Sequence, residues 1–248
     1  DALINQNIVI QIGTHPNDHA QQSGPSNGKH TRLDRTVHFY MIQDKITQVY
    51  TPFGGGIYIR VPLKTNLGHH KIKVQGQIVN GAMYRHCPEQ GLVTTKSEWD
   101  KVWSYQGPWF DLETDKYFMQ VPMEWLRIWK SAGLIDYSKQ ENMMYLVEAW
   151  NHTMDGMSEW AGYRLKRHKY TMWMQVDSNK PMKNFSIGYP MCNASQYYQG
   201  DMQKIQITGL NYVPYFMNYM NVYTNTTDIH ECGHEHVVFM FGEDGNKG

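Results

Sequence analysis

Thr227-Asp228-Ile229-His230-Glu231-Cys232-Gly233-His234-Glu235-His236, running into the apolar Val237-Val238-Phe239-Met240-Phe241, sets the fold and the chemistry expected of this chain. On a helix, His230 and His234 project from one face, one turn apart, at a separation that a single zinc ion can bridge. Glu231 then flanks the metal as a general base for a bound water, the division of labour in H-E-x-x-H. A plainer alternative is a surface helix in which Asp228 and Glu231 form a capping pair. Gly233 costs about 1 kcal/mol relative to Ala inside a helix, so its presence implies a close backbone approach. The apolar run from Val237 to Phe241 implies a buried element. Cys232 lies two residues from His230 and points off the metal face, which makes it a buried thiol and not a ligand.

The 248 residues suffice for one large domain or two closely joined ones. With 23 basic and 23 acidic residues there is no net attraction to nucleic acid or anionic lipid, and neither partner is expected. No run of apolar residues is long enough to span a membrane, and Asp1-Ala2-Leu3 does not begin a signal peptide, so a leader has been removed or the chain is a piece. Asn151-His152-Thr153, Asn184-Phe185-Ser186, Asn193-Ala194-Ser195 and Asn225-Thr226-Thr227 fit the N-glycosylation pattern and point to an extracellular, secreted setting. Three cysteines allow one disulfide at most, with Cys87 and Cys192 the pair to test.

Apolar alternation predicts strands over Asn7 to Gly13, Thr36 to Tyr40, Ile46 to Tyr50, Ile57 to Val61 and Lys71 to Val79. The polar, turn-rich stretch from Thr14 to Arg35 reads as a loop, with His15 and His19 in it. Gly54-Gly55-Gly56 marks a tight bend or a close approach of another backbone, and no Lys-Ser/Thr follows to make it a phosphate cradle. Trp109 to Glu113 and Tyr117 to Val121 read as a strand pair around Thr114-Asp115-Lys116. A helix starts at Pro122 and ends by Gly133, a second runs from Ser138 to Asn151, and Thr171 to Val176 is a further strand. The eight tryptophans all fall between Trp99 and Trp173 and are expected mostly in the core. The layout is α+β: a strand-rich part over 1–120 and a mostly helical part over 121–248 carrying the motif.

Taken in order, Ile10-Gln11-Ile12-Gly13-Thr14-His15, Phe53-Gly54-Gly55-Gly56-Ile57-Tyr58-Ile59 with Val61-Pro62, Gly107-Pro108-Trp109 with Glu113, Ser186-Ile187-Gly188-Tyr189-Pro190 and the His230 to His236 segment resemble the M60-like (enhancin and mucin-degrading) metallopeptidase domain. The resemblance implies a zincin-like gluzincin, with Zn2+ held by two His and a Glu and with mucin-type, O-glycosylated protein substrates. It makes His230 and His234 ligands, Glu231 the base and His236 a supporting residue. The family's third ligand is a Glu downstream. Glu243 is the candidate here, although on an unbroken helix it would face away from His234. The expectation is therefore a C-terminus that continues beyond residue 248. Tyr189, Tyr212 and Tyr215 are oxyanion-stabilising candidates by type. A catalytically inactive M60-like module that binds glycan or protein is the alternative.

Overall fold

Val9-Ile10-Gln11-Ile12 is rich in β-branched residues and forms β1 (Val9–Ile12), the central strand of a three-stranded antiparallel sheet ordered β2, β1, β3. Its neighbours are β2 (His38–Met41) and β3 (Ile57–Arg60), with Gln11 opposite both Phe39 and Tyr58. The computed structural model describes residues 3–13, 37–52, 54–62, 65–162, 171–177, 191–194, 217–220, 229 and 232–233. The chain packs as two units: Asp1–Pro16 with Leu33–Val79, and Asn17–Arg32 with Asn80–Gly248. The division falls at residue 80, whereas the sequence shows its change of character near residue 120.

In the first unit the glycine run has a steric cause. Gly55 sits at φ +116°, and a Cβ there would lie 2.8 Å from the Cα of Gly13. Gly13, itself at φ +98°, donates its N–H to the Gly56 carbonyl at 2.9 Å. Two glycine segments far apart in sequence thus form one backbone joint. Two expected strands do not form. Ile46 to Tyr50 is irregular, with Ile46 82 % exposed, and Tyr50 is tied instead to Tyr40, whose hydroxyl donates to its carbonyl at 2.6 Å. Lys71 to Val79 alternates as a strand should, but it joins no ladder, and Ile72, Val74, Ile78 and Val79 stay exposed. Alternation marks a two-sided segment; only a partner strand satisfies its backbone.

The second unit is built on a six-stranded mixed sheet ordered β5, β4, β6, β7, β8, β9. Its strands are β4 (Ala82–Cys87), β5 (Leu92–Val93), β6 (Trp109–Thr114), β7 (Tyr117–Pro122), β8 (Met172–Asp177) and β9 (Met191–Ala194). β6 and β7 form the expected antiparallel pair, while β4 with β6, β7 with β8, and β8 with β9 run parallel. Parallel neighbours need crossovers, and α1 (Lys96–Trp103) supplies the first, α2 (Met123–Ser131) and α3 (Gln140–Trp160) the second. α1 begins in a capping box, with the Glu98 N–H donating to Thr95 Oγ1 and the Thr95 N–H to Glu98 Oε2. α2 starts directly after Pro122 and stops at Gly133, which adopts φ +70°. α3 continues to Trp160, past the expected end at Asn151.

Alternate strand residues Tyr84, Phe110, Leu112, Met119, Val121 and Met174 meet Trp99 of α1, Trp125, Leu126 and Trp129 of α2, and Leu146, Val147 and Trp150 of α3 in one buried core. Trp99 is its hub: it meets Tyr84 and Phe110 edge-on at 5.1 and 5.7 Å, and its indole N–H donates to the Tyr137 carbonyl at 3.0 Å. Four of the eight tryptophans are fully buried, Trp103 and Trp109 pack partly buried against the core, and Trp160 is 87 % exposed, so most serve the core as expected.

The proposed Cys87 to Cys192 bridge is excluded by topology. β4 and β9 are separated by β6, β7 and β8, so the two Cα atoms stand about 19 Å apart at ordinary strand spacing, against the roughly 7 Å a disulfide tolerates. Cys87 is a free, buried thiol. No helix among the described residues is long and apolar enough to cross a membrane.

Candidate functional site

Ile229, Cys232 and Gly233 have helical backbone, as the motif spacing predicts for this stretch. Cys232 is 1 % exposed, a thiol within the same core as Trp99 and Trp150. The expectation of a buried cysteine is met. Among the described residues nothing lies within 4 Å of a Cβ placed at Gly233, so the close approach expected there is not made by any of them.

The remaining predicted site residues fall outside the described residues: His230, Glu231, His234, His236 and Glu243, the tyrosines 189, 212 and 215, the sequons at Asn184 and Asn225, and the loop histidines His15 and His19. Asn193 lies on β9, and Asn151 lies inside α3 with its Oδ1 buried. The Asn151 sequon threonine, Thr153, is 8 % exposed and donates its hydroxyl back to the Ala149 carbonyl at 2.8 Å. Among the described residues, no group of three or more His, Cys, Asp or Glu side chains is placed to hold a metal ion.

The chain enters the motif through a clamped segment. Met217 is fully buried, and the hydroxyl of Tyr137 donates to its backbone carbonyl. Burial keeps the Tyr137 phenol protonated, far above the ordinary tyrosine range. Two residues on, the hydroxyl of Tyr219 donates to Asn142 Oδ1 at 3.5 Å, and its ring packs on Tyr145 at 5.3 Å between centroids. Tyr137 caps the connection from α2 to α3, and Asn142 and Tyr145 stand on the first turns of α3. Sequence reading missed this clamp, because the pairing spans about eighty residues and no periodicity signals it.

Two further motifs are structural. Gly107 begins the approach to β6, and a Cβ there would lie 2.6 Å from Gly81 Cα and 2.7 Å from the Asn80 carbonyl, to which the Gly107 N–H donates at 3.0 Å. Glu113 accepts from Arg85 Nε at 2.5 Å across the β4 and β6 pair.

Residues 1–75 match the family model for the N-terminal domain of M60-like peptidases. Over 160 residues the chain is 26 % identical to human TRPM8 channel-associated factor 1, an alignment that covers 64 % of this chain and 15 % of that protein. Its orangutan counterpart from Pongo abelii aligns with the same identity and coverage. The chain thus spans a small part of the curated relatives it matches. Among solved structures, a conserved Bacillus anthracis protein of unknown function shares the fold at a TM-score of 0.52 and 13 % identity, covering 93 % of this chain and 40 % of that one.

Proposed function

We propose that the chain is the zinc-binding part of a secreted endopeptidase that hydrolyses peptide bonds in mucin-like, O-glycosylated proteins. The carrying observation is the helical backbone at Ile229, Cys232 and Gly233 with Cys232 turned into the core, in a chain whose first 75 residues match the N-terminal domain of M60-like peptidases. The donor set fits zinc: on a helix, residues spaced as His230 and His234 would share one face, and two imidazoles with a carboxylate are borderline-soft ligands suited to that ion. His230 and His234 would hold it, with Glu243 or a residue beyond 248 as third ligand. When bound, zinc supplies Lewis-acid polarisation and lowers the pKa of water towards about 7. Glu231 acts as the base: it takes the proton from the attacking water and passes it to the nitrogen of the leaving amine. Breaking the C–N bond is thereby coupled to neutralising the amine.

Full-length protein is tested on an O-glycosylated mucin before and after chelation, followed by zinc add-back. Cleavage lost on chelation and restored by zinc supports the proposal; cleavage indifferent to chelation overturns it.

A second reading, a non-catalytic module that binds a protein or glycan partner, is favoured by the likeness to TRPM8 channel-associated factor 1. It predicts mucin binding, or capture of a channel protein, without turnover.

A further inference from the structure

We propose that Tyr137 is the positioning residue for the helix that carries the metal motif, its hydroxyl latching the Met217 carbonyl so that the chain entering that helix is fixed at both ends. The metal side of this proposal rests on the peptidase reading above; the mechanical side does not. Three observations support the latch. Tyr137 and Met217 are both fully buried, so their hydrogen bond has no water to compete with it. Tyr137 is itself immobilised, because its carbonyl accepts the Trp99 indole N–H at 3.0 Å and its ring packs against Trp129 at 6.4 Å. At the far end of the same stretch, Cys232 is anchored in the same core as Met217. Fewer than twenty residues separate these anchors in sequence, and fixing both ends of so short a stretch of chain lowers its conformational freedom.

The consequence is a division of labour within the core. Tyr84 also places a buried hydroxyl there, accepting from Gln140 Nε2 at 3.2 Å, but its partner lies at the start of α3 and not on the path to the motif. Tyr84→Phe and Tyr137→Phe each remove one core tyrosine hydroxyl, but Gln140 Nε2 keeps the Thr94 carbonyl at 2.9 Å in the first, so the two variants differ in what the lost bond holds.

The test compares the full chain with Tyr137→Phe and Tyr84→Phe by hydrogen exchange and by zinc titration. The latch predicts faster amide exchange in peptides covering 217–233 in Tyr137→Phe alone, at temperatures well below unfolding. It also predicts a zinc affinity lower by about tenfold in that variant and unchanged in Tyr84→Phe, the scale on which supporting residues act at metal sites. Equal exchange over 217–233 in both variants and the parent overturns the latch, whether or not metal binds. A parent that binds no zinc while Tyr137→Phe still shows selective exchange keeps the latch and removes the peptidase reading.

Discussion

Replacing Gly55 by Ala isolates the joint on which the N-terminal sheet is built. Two costs add. At φ +116° an L side chain sits outside even the left-handed region, a strain of about 1–3 kcal/mol. The new Cβ would also stand 2.8 Å from Gly13 Cα, a backbone atom that cannot rotate away, and relieving such an overlap typically costs about 1–3 kcal/mol. Ala stiffens the unfolded chain and returns about 0.4–1 kcal/mol, leaving a net loss of roughly 1–6 kcal/mol. Gly54→Ala is the matched control: its φ is +70° and nothing lies within 4 Å of the added carbon, so the loss should stay near 1 kcal/mol or below. The assay is urea unfolding followed by hydrogen exchange at Val9–Ile12 and His38–Met41, which reports this sheet separately from the larger unit. Equal losses for Gly55→Ala and Gly54→Ala would refute the argument, because the two differ both in φ and in the overlap with Gly13.

Gly107→Ala should destabilise the larger unit by about 1–3 kcal/mol in chemical denaturation, since its Cβ would stand 2.6 Å from Gly81 Cα; a loss under a few tenths would mean that β4 and β6 can separate freely. Thr95→Ala removes the α1 capping box and should lower stability by about 1 kcal/mol, read as a shift in urea midpoint with unchanged slope. Burial, with the nearby Glu113 and Asp115 charges adding to it, pushes the Cys87 thiol up to about 11. Because the folded protein holds that proton more tightly than the unfolded chain, the contribution is complete below about pH 9 and is lost as pH rises through about 11. Iodoacetamide at pH 8, followed by peptide mass analysis, should therefore leave Cys87 unmodified until the protein is unfolded; rapid native labelling would contradict this.

What the sequence disclosed and what it hid follow from the range of the forces involved. The pair β6 and β7 and the boundaries of α2 were legible because short-range signals define them: a polar turn at Thr114 to Lys116, Pro122 at the helix start and Gly133 past its end. β4 and the capped α1 went unread although Ala82 to Cys87 alternates, because a parallel neighbour is found only through a crossover. Lys71 to Val79 failed in the opposite sense, showing alternation without a partner. The Gly54 to Gly56 run was legible as a close approach, but its counterpart Gly13 was not, since nothing local points across forty residues. At the candidate site, the helical character at Ile229 and the burial of Cys232 were readable from spacing, whereas the Tyr137 latch was not.

The most direct measurement is made on the full-length protein beside its Glu231→Gln variant, taking zinc content and cleavage of an O-glycosylated mucin together. The account predicts about one zinc per chain in both proteins and peptide-bond cleavage by the parent alone. Absence of zinc in the parent, or equal cleavage by both, would contradict it.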